Sequence, residues 1–426
     1  MNNPWLVYLD SAATLQKPQQ VIDGVSDYLS TSYANVHRGW YSLSEKSELM
    51  YWQARRLTAE LLWAKDEEVI FTNNSTDSVN KLVKSLIFSW VISKWDTVLL
   101  SDLEHHANIV PWQIAAKEEW IILDFVWLDQ EQQIDMNDLA RKLHTWVKVV
   151  SLTMVSNVTW GISDIEKIVS IVNKSLRPQQ AVDTSLNKER LDSLPRPFLI
   201  LDVSQAVPHM QLDVKRMDID FCYFTGHKLG AHTGVWVLWW KKEYLRSLTP
   251  AYWGWGMVDE VTKDWFSMQW APDKFEPGTP NLVGVASLKY ALEYIKSLWS
   301  ENTFAAGYAY LAHIEDPLIE YCLDQFAELA SSWVTLLWPK DPAKRVGVFS
   351  FQLPVWKNAT QLGQFIAEKN ICIRCGAQCA HVFHAWLADH TWWKSCIQHT
   401  CRISLWWYND IEDIAKFFIL LKKFLD

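Results

Sequence analysis

Apolar positions along the chain follow two different patterns. Short, nearly continuous apolar runs at Glu68–Thr72, Thr97–Ser101, Val147–Val155, Phe198–Asp202, Asp218–Phe224 and Val235–Leu238 have the length of strands covered on both faces. Helical stretches at 18–33, 47–62 and 76–89 fall before and between them. Strands alternating with helices predict an α/β architecture built on a largely parallel sheet. After about residue 299 the order changes to a helix, strands near 334–338 and 346–353, a helix near 360–368, strands near 371–375 and 402–406, and a final helix over 410–424. That order reads as a smaller α+β domain. The expected organisation is a large domain over 14–298 and a small one made of 1–13 and 299–426. The segment 173–197 is polar, holds three prolines and shows neither period, so a surface insertion is expected there.

Composition narrows the function classes. With 426 residues, 49% hydrophobic and 21% charged, the chain can bury sizeable cores. A formal net charge of −9 gives no electrostatic reason to expect nucleic acid or an anionic membrane as partner, which leaves a small-molecule substrate. No apolar run reaches the ~18 residues of a membrane span, and the N-terminus lacks the basic and apolar regions of a signal, so a cytoplasmic protein is expected. Seven cysteines form an odd set that suits catalytic or buried thiols better than a disulfide framework.

The chemistry centres on Thr225-Gly226-His227-Lys228. A lysine reached by a small-residue turn at the carboxyl end of a strand lies where α/β sheets bind ligands. Pyridoxal phosphate (PLP) enzymes need such a lysine amine for covalent attachment and proton transfer. Asp202, at the end of another apolar run, can hold a pyridine nitrogen protonated. Taken singly, it reads equally as a turn aspartate. Asn74-Ser75-Thr76 offers hydroxyls and free N–H groups at a helix start, suited to a phosphate and equally to an ordinary N-cap.

Taken with these, Tyr8-Leu-Asp10-Ser-Ala-Ala13, Ala34-Asn-Val-His37-Arg38-Gly39, Glu104-His105-His106-Ala-Asn-Ile-Val-Pro111-Trp112, Val155-Ser-Asn157, Asp202-Val-Ser-Gln205-Ala206, Gly278-Thr279-Pro280-Asn281 and Arg374-Cys-Gly-Ala-Gln-Cys379-Ala380 occur in family-like order. From Tyr8 to the last helix the chain resembles the SUF-type (group II) cysteine desulfurases, class V aminotransferase-fold PLP enzymes. The resemblance implies a fold type I PLP-dependent transferase with a seven-stranded large-domain sheet, and a homodimer. It implies an enzyme that converts L-cysteine to L-alanine and passes sulfur through a persulfide to an acceptor protein of the SUF system, for iron–sulfur cluster assembly. By the same resemblance Lys228 is the Schiff-base lysine, Asp202 the pyridinium partner, His105 the ring-stacking residue and Gln205 a donor to the phenolic oxygen. Ser75, Thr76, Thr225 and His227 hold the phosphate, with Thr279 reaching it from the other subunit. Asn157 and Arg402 bind the substrate carboxylate, Cys379 is the sulfur-accepting nucleophile, and His37 and Arg374 match active-site positions. The competing expectation is a selenocysteine lyase or another class V aminotransferase or lyase, although a transaminase has no need of a thiol at Cys379.

Two features depart from the resembled pattern. Gln378 stands where a histidine usually precedes the nucleophile. The segment 380–401 is long and rich in His381, His384, His390, Cys396, His399 and Cys401, while Cys372-x2-Cys375 and Cys396-x4-Cys401 are only partly zinc-like, so no metal is assigned.

Tryptophan is the remaining anomaly. The chain has 27 tryptophans and 14 glycines, against about 30 glycines expected at ~7%. Trp160, Trp236, Trp239, Trp240, Trp253 and Trp255 fall where the family shows glycine, and Trp63, Trp95, Trp146 and Trp338 sit at element boundaries. Many of these positions are therefore expected to be glycine in the natural protein, encoded by a UGA that some bacterial lineages read as glycine. Trp112, where the family also has tryptophan, is expected to be genuine.

Overall fold

A strand buried on both faces must be apolar along its whole length, and the central runs of this chain obey that rule. The computed structural model describes residues 5–37, 39–144, 146–175, 196–390 and 400–426. After a short strand β1 (Val7–Tyr8) come β2 (Val69–Thr72), β3 (Thr97–Ser101), β4 (Ile122–Val126), β5 (Val147–Thr153), β6 (Phe198–Asp202), β7 (Phe221–Thr225) and β8 (Trp236–Trp240). Strands β2 to β8 form one seven-stranded sheet in the order β2-β8-β7-β6-β5-β3-β4. The run from β7 to β4 is parallel, and β8 is antiparallel to both its neighbours.

Side-chain alternation divides this sheet between two cores. Leu199, Leu201, Cys222 and Phe224 face one, together with residues of α1 (Gln19–Thr31) and α2 (Ser42–Leu61). Phe198, Ile200, Phe221 and Tyr223 face the other, together with α3 (Ser75–Phe88) and α4 (His106–Glu119). A mostly parallel sheet sandwiched by helices on both faces is the α/β fold that the pattern predicts.

Beyond a hairpin of β9 (Val258–Val261) and β10 (Phe266–Met268), the chain builds a second sheet. Its strands are β11 (Thr335–Leu336), β12 (Val348–Gln352), β14 (Arg374–Gly376) and β15 (Thr400–Ser404), in the order β11-β12-β15-β14, while β13 (Ile371–Cys372) pairs in parallel with β1. Phe326, Phe349, Phe351, Phe417 and Phe418 fill its core under the helices Phe304–Leu329 and Ile411–Leu425. The β1–β13 pairing and a bridge from Asp10 to Ser404 stitch the N-terminal segment to this sheet.

Besides the β9–β10 hairpin, which the pattern does not anticipate, two segments of the large sheet differ from expectation. The strand expected at Asp218–Phe224 starts at Phe221, because Asp218 has φ +50° and Asp220 is held by Arg196, Tyr244 Oη and the Leu199 amide. Strand β4 is not anticipated by the pattern: it is a half-exposed edge strand carrying Asp124. Most of the expected insertion, 176–195, lies outside the described residues.

The tryptophans occupy unusual backbone. Trp63, Trp90, Trp95, Trp120, Trp160 and Trp333 all have φ between 53° and 74°. At the end of α3, Val91 N–H donates to Leu86 O at 2.9 Å and Trp90 N–H to Ile87 O at 2.9 Å. This is the Schellman pair of bonds, whose left-handed position is normally glycine. At the end of α2, Ala64 N–H donates to Ala59 O and Trp63 N–H to Glu60 O in the same arrangement. A Cβ in left-handed backbone costs about 1–2 kcal/mol per residue. Six such residues approach the whole net stability of a domain, about 5–15 kcal/mol. Trp146, Trp236, Trp239, Trp240, Trp253, Trp255 and Trp338 are not among the positive-φ residues, so for them backbone conformation gives no reason for glycine. Trp112 is fully buried inside α4. Sequencing the gene is expected to find TGA at residues 63, 90, 95, 120, 160 and 333 and TGG at 112. Trp90→Gly should raise stability by about 1 kcal/mol in denaturant unfolding, and TGG at all of these codons would refute the assignment.

Candidate active site

Parallel strands deliver the residues that follow their carboxyl ends to one side of the sheet. Here that side opens into a cavity of about 480 Å³. Ser75 and Thr76 reach it after β2, His105 after β3, Asn157 after β5, Asp202 and Gln205 at and after β6, and His227 and Lys228 after β7. The second sheet closes the other wall with Arg374, Gln378, Cys379 and Arg402. Gly226 makes the turn into Lys228 possible: its amide donates to Val235 O at 3.1 Å, and a Cβ there would stand 2.8 Å from the same oxygen.

Burial sets the ionisation of these groups. The Lys228 ammonium is disfavoured by burial and by Arg402, and Asp202 offsets this only in part, leaving its pKa lowered to about 8. Burial, reinforced by Lys228, takes His105 down to about 3, so its imidazole is neutral. Its Nδ1 accepts the Ala107 amide at 3.0 Å while capping α4. Burial and then Lys228 likewise lower His227 to about 3. Asp202, raised by burial, accepts the Ser204 amide at 2.9 Å.

The wall from the second sheet is organised by a residue to which sequence reasoning gave no role. Asp10 accepts from Arg374 Nε at 3.1 Å and Nη2 at 2.8 Å, and from Arg402 Nη2 at 3.3 Å. Its only signal was its place in the Tyr8–Ala13 motif. Arg402 also donates to Asn157 O at 3.3 Å, and burial lowers its pKa to about 10, which keeps it charged at neutral pH. Glu104, another residue not anticipated, is fully buried and raised to about 8. It accepts from Ser101, Asn108 and the Thr153 amide, bracing β3 against β5.

Cys379 is exposed at the cavity, and both it (φ 55°) and Gln378 (φ 52°) are left-handed. Neighbouring hydrogen bonds hold this conformation. The Asn157 amide donates to Gln378 O, His106 N–H donates to Cys379 O at 3.0 Å, and His381 N–H donates to His106 Nε2 at 3.0 Å.

Not every expected site residue lines the cavity. Thr225 is buried at the end of β7, beneath the turn. His37 is exposed and packs edge-on against Tyr51, and Thr279 is exposed outside the cavity. Cys396 and His399 lie outside the described residues, and among the described residues no group of three or more His, Cys, Asp or Glu is gathered to hold a metal.

The profile of the Aminotransferase class-V family matches residues 7–185 and 196–417. The chain belongs to the class V aminotransferase family. Among curated members of related sequence, a probable cysteine desulfurase of Chlamydia trachomatis is 34% identical over 421 residues, covering 98% of this chain and 94% of its own. Among solved structures, the apo cysteine desulfurase of Thermococcus onnurineus superposes with a TM-score of 0.85 at 26% identity, covering 99% of this chain and 94% of that one. The Escherichia coli cysteine desulfurase CsdA, in an S-sulfonic acid form, gives 0.82 at 27% identity, covering 99% and 95%.

The cavity of this family member fits PLP on chemical grounds. His227 Nδ1, on the cavity wall, is buried without a hydrogen-bond partner, as a group awaiting a polar ligand would be. A neutral imidazole, a carboxylate and an amine of lowered pKa complete the donor set the cofactor requires. Because only the neutral amine attacks, covalent capture of added PLP by the apoprotein should speed up with pH and level off above about 8. Stopped-flow absorbance measures this, and a rate still climbing into the ordinary lysine range would contradict it.

Proposed function

We propose that this protein is a PLP-dependent cysteine desulfurase of the SUF type, which converts L-cysteine to L-alanine and receives the sulfur as a persulfide on Cys379. The observation that carries this reading is the exposed Cys379 thiol on the wall of the cavity that also contains Lys228, Asp202 and Arg402. The cysteine desulfurases among its relatives support it.

When bound, PLP supplies an electron sink for the bonds of the substrate α-carbon. Asp202 would keep the ring nitrogen protonated, His105 would offer its neutral imidazole to the ring and Gln205 would donate to the phenolic oxygen. Ser75 and Thr76, at the N-terminus of α3, would hold the phosphate with His227, and with Thr225 from beneath the turn. Asn74 caps the helix instead, accepting the Asp77 amide at 2.8 Å. Arg402 and Asn157 bind the substrate carboxylate, with Arg374 and His37 assigned to the surroundings of the site. Lys228, whose lowered pKa leaves part of it neutral near neutral pH, would carry the α-proton. The Cys379 thiolate attacks the substrate sulfur, so an S–S bond forms, the Cβ–S bond breaks and its electron pair passes to carbon. After protonation at Cβ the balance is L-cysteine plus enzyme thiol giving L-alanine plus enzyme persulfide.

The wider setting belongs to the same proposal: a cytoplasmic homodimer that hands sulfur to an acceptor protein of the SUF system for iron–sulfur cluster assembly. Thr279, exposed and not part of the lining of its own cavity, supports a role in a second subunit's phosphate site. Among the described residues no helix is long and apolar enough to cross a membrane.

Cys379→Ala should keep the absorbance of bound PLP and lose alanine production from L-cysteine by at least about 100-fold, the scale of removing a catalytic group. Turnover at the wild-type rate in a coupled alanine assay would end the desulfurase reading. Sedimentation at micromolar concentration should show a dimer, and a sharp monomer that retains PLP would contradict the shared phosphate site.

A further inference from the structure

Strands β14 and β15 set Arg374 opposite Arg402 and Cys375 opposite Cys401. The proposed chemistry uses the arginines and leaves the thiols without a task. Their Sγ atoms are 3.2 Å apart, and both cysteines are free. Directly opposed residues on antiparallel strands have Cα atoms about 4.5–5.5 Å apart, inside the window of about 4.4–6.8 Å that a disulfide tolerates. Bond formation therefore needs side-chain rotation and no change of register. Gly363 backs the Cys375 side chain, since a Cβ there would stand 3.3 Å from its sulfur. Cys222 and Cys322 are buried in separate cores.

We propose that Cys375 and Cys401 form a reversible dithiol–disulfide site that closes across β14 and β15 when a small peroxide reaches the half-buried Cys375. Cys375 is half-buried on the face of β14 opposite Arg374, where it packs against the core of the second sheet, and Cys401 beside it is fully buried. The hydrogen bond between them favours a thiolate on Cys375 and a thiol on Cys401, the division of roles that an attacked and a resolving sulfur require. Cys375 attacks the peroxide, whose O–O bond breaks, to give a sulfenic acid and one water. Cys401 then attacks that sulfur, forming the S–S bond and releasing a second water. Two thiols and one hydrogen peroxide thus yield one disulfide and two waters, and a small dithiol reverses the reaction. The bridge lies at the base of the excursion that carries Cys379 and the helix His381–His390. Closing it fixes both ends of that excursion beside the two arginines.

The test treats full-length, PLP-loaded protein with a few equivalents of hydrogen peroxide, alkylates the remaining thiols after unfolding and maps the peptides. The expected product is a cross-linked pair joining residues 375 and 401, lighter by two hydrogens and removed by dithiothreitol. Oxidation should also raise the melting temperature of the wild type and leave that of Cys401→Val unchanged. Recovery of both cysteines as alkylated thiols after Cys379 has been oxidised would overturn the proposal, as would a bridge from Cys375 to any other cysteine. The wild-type peptide map decides the matter even if the variant fails to fold.

Discussion

The site depends on a carboxylate shared by two guanidinium groups. Arg402 is almost wholly buried, and a buried cation is costly unless it is paired and hydrogen-bonded. Asp10 supplies the counter-charge and also takes both bonds from Arg374. It can do so because β1 pairs with β13, next to the strand that carries Arg374, so the first residues of the chain are anchored to its last sheet. Arg402 in turn reaches the large sheet through Asn157 O. One acid therefore sets the charge of the wall that faces Lys228 and ties the two sheets together where the cavity lies between them.

Much of this was legible in the sequence because strands buried on both faces leave an unambiguous apolar signature. Thr97–Ser101 and Phe198–Asp202 come out with the expected bounds. The half-exposed strand β4 and the exposed hairpin β9–β10 leave weaker patterns and were not anticipated. Site residues announced by motifs, including Lys228, Asp202, His105 and Cys379, converge on one cavity. Asp10 and Glu104 escaped because a carboxylate that only orients other groups looks like any other acid in a sequence. Thr279 and His37 were legible as motif members, but one chain alone does not place them on its cavity.

The nucleophile segment shows how position can be specified by strain and restraint together. Consecutive left-handed residues at Gln378 and Cys379 are disfavoured intrinsically, and Asn157 and His106 hold their carbonyls from the large-sheet side. The side chain at 378 stays buried with its amide unpaired, in the place where the resembled family has a histidine. Any proton handling assigned to that histidine elsewhere has no counterpart here.

The glycine-type caps occupied by tryptophan bear on how the gene behaves outside its own translation system. Where residue 63 is encoded by UGA, a host that reads UGA as stop would end synthesis no later than that residue, at the close of α2 and before β2 begins. Such a fragment would contain no strand of the large sheet, and its Asp10 would have neither arginine partner. A host that inserted tryptophan would instead make a full-length chain whose helices α2, α3 and α4 each end on a side chain that the backbone there disfavours, so slow or incomplete folding would reflect decoding and not the fold itself.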